Sequence, residues 1–219
     1  MKTLLLLTSI FASQSVLALT TEDAITQTDA AMNTMNMAQL QQLASETMDY
    51  ANAYANYRLG VGASLVGNGA LAKEALTQAA SVLETLNQQQ DDAENYALLS
   101  AVYGMHIFVD RTTYQELGPK SNHALQQAEE LEPNNPRVQL VKAIANYYKP
   151  NKSIEYINQA LNDFELPCEI ICWGKSESFV WRGLAQQQKG DLTAAKQDWQ
   201  QALVVNPTNG WAKSLLQQF

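Results

Sequence analysis

The chain has 219 residues, of which 46% are apolar and 16% charged, with 14 basic and 22 acidic side chains giving a net charge of −8. Such acidity speaks against nucleic acid or an anionic lipid surface as a partner, because both are met by a basic footprint. The apolar fraction is enough to bury a core, and one elongated domain is the simplest organisation.

Residues 1–18, "MKTLLLLTSIFASQSVLA", combine one early cation (Lys2), an apolar run from Leu4, and small residues at Val16 and Ala18. This is the pattern of a cleavable secretory signal peptide. Thr8, Ser9, Ser13, Gln14 and Ser15 interrupt the run, well short of the roughly twenty apolar residues a spanning helix needs. No cysteine stands at the cut to carry a lipid. The expected protein is therefore periplasmic or secreted, with no transmembrane segment after cleavage. Without residues 1–18 it carries 13 basic and 22 acidic residues, a net charge of −9.

From residue 19 onward, apolar residues recur at helical spacing and no segment alternates as a strand. Residues 19–49 read as two N-terminal helices, with Thr20 or Thr21 as the cap of the first. Within residues 50–219 the same two-helix pattern returns. Leu59-Gly60 is followed by Ala72-x3-Leu76-x2-Ala79, and Tyr96-x2-Leu99-Ser100-x2-Tyr103 by Ser121-x3-Leu125-x2-Ala128 and Pro133. The second of these follows its first helix nine residues late. Ala143 precedes Ser153-x3-Ile157-x2-Ala160. Phe179-x2-Arg182-Gly183-x2-Gln186 and Gly190 precede Ala195-x3-Trp199-x2-Ala202 and Pro207. The small anchors Gly60, Ser100, Ala143 and Gly183 lie 40, 43 and 40 residues apart. A glycine inside a helix costs about 1 kcal/mol relative to alanine, so Gly183 and Gly60 predict places where two helices approach closely. The tail "NGWAKSLLQQF" reads as a terminal capping helix, with Trp211, Leu215 and Phe219 laid on the last pair.

This arrangement of an aromatic, a small residue, then Ala, an aromatic, Ala and Pro resembles the tetratricopeptide repeat (TPR). Arg182 and Gln186 depart from the usual Leu and Tyr, and a HEAT-like helical repeat is the alternative. The chain also resembles secreted bacterial repeat proteins in which "NPR" and a later "WG" recur, here Asn135-Pro136-Arg137 and Trp173-Gly174. The resemblance implies an all-α, right-handed helical-repeat solenoid of about four divergent TPR-like helix pairs, preceded by the N-terminal helices and closed by the capping helix.

In such a solenoid the first helix of each pair lines a concave groove. On that register the groove would present Tyr54, Tyr57, Val61 and Leu65 from the first pair and Glu94, Ala101 and Met105 from the second. Arg137, Leu140, Ile144, Tyr147 and Tyr148 would come from the third, and Glu177, Val180, Leu184 and Gln188 from the fourth. Tyrosine, methionine and arginine suit a peptide-binding surface; equally, several of these tyrosines could pack between helices. Arg137 stands at a helix start, where a cation is unfavourable. It is expected either to grip a carboxylate of a partner or to pair with Glu94, Glu130 or another nearby acid.

Cys168 and Cys172 are the only cysteines. In an oxidising compartment their spacing allows a local disulfide, with two reduced, buried thiols as the alternative. The spacing C-x3-C is not that of a redox motif. His106 and His123 lack the spacing of metal ligands, and His106 reads as a core or groove residue. No phosphate loop, nucleophile elbow or zinc-protease helix occurs, so no cofactor, metal or catalytic residue is expected. The expected function is a non-catalytic, exported adaptor or scaffold that binds a protein or peptide through the groove. A small-molecule or glycan-binding envelope protein, or an accessory subunit of an envelope complex, is the alternative.

Overall fold

The computed structural model describes residues 19–164 and 173–219. The expected signal peptide and the pair Cys168 and Cys172 lie outside the described residues. Eleven α-helices occupy the described chain: α1 (Thr21–Asn33), α2 (Met37–Glu46), α3 (Asp49–Leu65), α4 (Gly69–Gln89), α5 (Ala93–Val109), α6 (Tyr114–Leu131), α7 (Pro136–Ala145), α8 (Pro150–Asp163), α9 (Lys175–Gln188), α10 (Leu192–Val205) and α11 (Gly210–Gln218). None of them is long and apolar enough to cross a membrane.

Most of these helices start where the sequence supplies an oxygen for the free N–H groups of the first turn. Thr20 caps α1, Asn36 α2, Asn68 α4, Asp92 α5, Asn135 α7, Asp191 α10 and Asn209 α11, with N–H to side-chain distances between 2.9 and 3.3 Å. Each such cap stabilises its helix by about 1 kcal/mol. Pro136 and Pro150 occupy first-turn positions, where the missing N–H costs nothing. Gly174, at φ +96°, makes the left-handed turn into α9 that a side chain would strain.

The helices pack as sequential pairs, α1–α2 through α9–α10, with α11 added to the end. Each odd-numbered helix up to α9 also touches the next odd one, whereas the even-numbered helices make no comparable contact with one another. Helices crowd on the inside of a curve and splay on its outside, so the odd helices form the inner layer of a curved array. The result is an all-α helical-repeat solenoid. α1 and α2 behave as a further pair stacked on the four seen in the sequence.

The seams explain the small anchors. A Cβ added at Gly183 would strike Trp199 Nε1, and would lie 2.6 Å from Trp199 Cδ1 and 2.9 Å from the Ala195 carbonyl oxygen. At Gly60 the equivalent atom would lie 2.7 Å from Leu76 Cγ and 3.4 Å from the Ala72 oxygen. Trp199, Leu76, Ala195 and Ala72 are all fully buried. The two middle pairs solve the same approach with a hydroxyl. Ser121 donates to the Ser100 carbonyl at 3.0 Å, and Ser153 donates to the Ala143 carbonyl at 3.0 Å. The four anchors thus all lie in the contact between the two helices of their pairs. The nine residues that delay Ser121 add one turn to the end of α5, lengthen the linker into a 3-10 turn (Arg111–Thr113) and add one turn to the start of α6.

Candidate functional site: the inner face of the array

The inner face divides into a closed zone and an open one. In the closed zone side chains from five odd helices meet. Asp29 of α1 is 2% exposed and accepts a 2.6 Å hydrogen bond from the Tyr54 hydroxyl of α3. Arg58, one turn beyond Tyr54 on the same face, brings its Nε to 3.3 Å from Asp29 Oδ1 and its Nη2 to 3.6 Å from Glu177 Oε1 of α9. The Nε approach is an ion pair without hydrogen-bond alignment. The Tyr54 ring packs 5.1 Å from that of Trp173, and the Arg137 guanidinium of α7 lies 4.7 Å above the Trp173 ring. Arg137 Nε donates to the Trp173 carbonyl at 3.3 Å, and its Nη1 pairs with Glu94 of α5. Charges therefore alternate through the zone: Asp29, Arg58, Glu177, then Arg137 and Glu94.

Burial pushes the Asp29 carboxyl up to about 6; Arg58 pulls it down, Glu177 raises it, and the Tyr54 hydrogen bond lowers it. Burial also works against the charge of Arg58, but the oxygens of Tyr54, Asp29 and Glu177 more than offset this and hold it protonated. The Tyr54 and Tyr57 phenols are raised by burial. Within the cluster each carboxylate has a cationic neighbour: Arg58 for Asp29 and Glu177, Arg137 for Glu94.

The open zone lies further along the same helices. Glu177 marks the inner side of α9, and Trp181, Leu184 and Gln188 follow it at i+4, i+7 and i+11. Trp181 is the centre of an aromatic ladder. Its ring lies 5.4 Å from Tyr147, just past the end of α7, and 5.2 Å from Trp211 at the start of α11. Tyr147 in turn lies 5.4 Å from Tyr148. Tyr148 is 90% exposed and Trp211 42% exposed, while Tyr147 and Trp181 are half-buried. Four uncharged rings from three elements thus form one accessible surface.

The residues expected in the groove are distributed unevenly between the zones. Tyr54 is in the core and presents nothing to solvent, because α1 packs over it and supplies Asp29 as its partner. Tyr57 and Met105 pack against the core formed by α3, α4 and α5. Glu94 and Arg137 are partly exposed but engage each other, one of the two outcomes expected for Arg137. Leu140 and Val180 are buried. Val180 lies on the α10 side, where its carbonyl accepts from Trp199 Nε1 at 3.3 Å. Gln188 is exposed beyond the ladder, to which Tyr147 and Tyr148 belong. Trp181 was not among the expected residues, yet it was within reach of the sequence. Gly183 faces α10, so Val180, three residues before it, must share that side and Trp181 must turn inward. Trp211 lies on the last pair, as expected, with its ring against Trp181 of α9.

No protein-family model matches the chain, and no curated protein matches it in sequence. Solved structures do resemble it. TTC0263, a thermophilic TPR protein of Thermus thermophilus, aligns with a TM-score of 0.54 at 16% identity, covering 90% of this chain and all of that one. YrrB, a TPR protein with an unusual peptide-binding site, aligns with a TM-score of 0.41 at 14% identity, covering 90% of each chain. The first of these, together with the helix pairs and their seams, shows that the chain has a tetratricopeptide-repeat-like fold.

Proposed function

We propose that this protein is an exported, non-catalytic interaction module that holds a segment of a partner protein on the open part of its inner face. The aromatic ladder from Tyr148 to Trp211 carries this reading. Aromatic side chains supply large contact area at low entropic cost and dominate binding hot spots. The closed zone supports the non-catalytic part, because its buried carboxylate is already matched by Tyr54 and Arg58. The test is affinity purification of the protein from its envelope fraction, alongside Tyr148→Ala, Trp211→Ala and a control, Val204→Ala, at an exposed position of α10. A specific partner should fall about tenfold or more in yield with either ladder variant and stay with the control. Retention of every partner by both ladder variants would remove the inner face as the functional surface.

Export rests on Lys2, the apolar run and the Val16/Ala18 cut. Mass spectrometry of the native protein should find Leu19 or a neighbour as its first residue. An intact Met1 on a cytoplasmic protein would overturn it.

A further inference from the structure

Gly210 begins α11 without a positive φ, so its backbone conformation does not call for glycine, and alanine would form the helix better. What it needs is room. A Cβ there would lie 2.9 Å from the carbonyl oxygen of Asn33, the last residue of α1. Beside this contact Asn33 Nδ2 donates to Thr208 Oγ1 at 3.2 Å, across 175 residues of sequence. The array therefore curves until its first helix meets its last. On the inner side of the same seam lie the Arg58–Glu177 pair and the Tyr54–Trp173 ring contact. Electrostatics favour the meeting twice over. Asn33 ends α1 and Gly210 begins α11, so the negative end of one helix dipole meets the positive end of the other. Residues 21–46 also carry four acids (Glu22, Asp23, Asp29 and Glu46) and no base, whereas residues 175–218 carry five bases and three acids.

The seam is nevertheless thin. Sequential helices pack along their lengths, but between the two ends only turns and side-chain tips meet. Among the described residues no apolar cluster joins α1 or α2 to α9, α10 or α11. The ion pair across the seam can also be released without stranding a charge. Arg58 Nη2 and Glu177 Oε1 are 3.6 Å apart; Arg58 keeps Asp29, and Glu177 keeps the Gly174 N–H at 3.1 Å. Regions held by few buried apolar contacts open first, and an array in which each repeat touches only its neighbours changes curvature by small rotations shared among them. We propose that Asn33, Thr208 and Gly210 form a clasp that fastens the two ends of the array. The array opens there, with every helix pair intact, and so uncovers the closed zone of the inner face. This motion is independent of what the ladder binds.

Spin labels on keto amino acids introduced at Gln41 of α2 and Lys213 of α11, both exposed, report the separation of the two ends by pulsed electron paramagnetic resonance and leave Cys168 and Cys172 in place. The parent at low salt should show one narrow distance. Gly210→Val should add a second, longer by about 10 Å or more, a helix diameter. Valine puts three carbons where the first alone meets a backbone oxygen, while Ala212 and Leu215 hold α11 on its own pair, so the clasp is what yields. Asn33→Ala, which deletes the bond to Thr208, should populate the longer distance more weakly. Raising sodium chloride from about 0.01 to about 1 M, which cuts the Debye length from about 30 to about 3 Å, should populate it in the parent. Far-UV circular dichroism should stay at the parent level throughout, because opening leaves the helices formed. No longer distance in either variant, at either salt concentration, would overturn the clasp. So would a longer distance that appears only together with loss of helical signal, since that is unfolding and not opening.

Discussion

Arg58→Met should destabilise the fold by about 3–5 kcal/mol at neutral pH, the usual result of removing one partner from a buried ion pair. The substitution keeps most of the side-chain volume and deletes the charge between Asp29 and Glu177, so the loss is mainly electrostatic. Asp29 suffers most, because it is nearly inaccessible and its remaining partner is the Tyr54 hydroxyl. The deficit should depend on pH in a defined direction. A carboxyl whose folded pKa lies near 6, above its ordinary value near 3.9, is protonated in the folded state before it is in the unfolded one. As pH falls through about 6 the fold binds that proton preferentially and gains stability from this group, until the unfolded carboxyl also titrates. Removing Arg58 removes an influence that lowers this pKa. The variant should therefore recover part of its loss between pH 7.5 and pH 5, where a neutral Asp29 no longer needs a counterion. Urea unfolding of parent and variant at the two pH values checks this. The double variant Arg58→Met/Asp29→Asn should recover stability at pH 7.5 relative to Arg58→Met alone. Equal deficits at both pH values, with no recovery in the double variant, would mean that Asp29 is not charged in the parent.

The same cluster explains which parts of the site could be read from the sequence. The helix pairs were legible because their signals are local: a cap at the start, a small residue at each seam, and alanines at i+12 and beyond. Ser100 and Ala143 could be matched to Gly60 and Gly183 by period alone. That Ser121 and Ser153 would bridge those two seams by donating to backbone carbonyls could not be seen from spacing. The inner face was harder for a physical reason. Glu177 and Arg58 are 119 residues apart in the sequence, and their contact depends on how tightly the whole array curves. No local pattern records that curvature. Tyr54 therefore looked like any groove tyrosine until α1 was seen to pack over it. Trp181 differs in kind, since the register fixed by Gly183 was sufficient to place it.

Closure of one zone bears on the other. A groove lined by free charged and aromatic side chains could admit a partner anywhere along its length. Here Asp29, Arg58, Glu177, Arg137 and Glu94 engage one another and tie α1, α3, α5, α7 and α9 together. A ligand entering there would have to break these ion pairs, of which Asp29–Arg58 is the most deeply buried. The ladder offers uncharged rings, two of them well exposed, so a partner gains contact area without displacing an internal ion pair. Affinity is therefore expected at the end of the array formed by α7, α9 and α11.

Gly183→Leu should lower stability by about 1–3 kcal/mol, the usual cost of forcing extra volume into a packed seam. Two opposing effects decide the sign. Leucine is the better helix former and would contribute up to roughly 1 kcal/mol if residue 183 faced solvent. At the observed seam, however, even the first added carbon would lie 2.9 Å from the Ala195 carbonyl oxygen, which belongs to the backbone of α10 and cannot rotate away. It would also meet Trp199, whose indole Nε1 is held by the Val180 carbonyl at 3.3 Å. Relief requires α9 and α10 to separate, exposing Ala195, Ala202 and Trp199, all fully buried. Steric cost should thus exceed the propensity gain, and thermal unfolding should show a lower midpoint. Gly104, where an added Cβ would meet no neighbouring group within 4 Å, supplies the control: Gly104→Ala should hold or raise the midpoint through propensity alone. A rise for Gly183→Leu comparable to that control would mean that the two helices do not approach at residue 183, and the repeat seam would be misplaced.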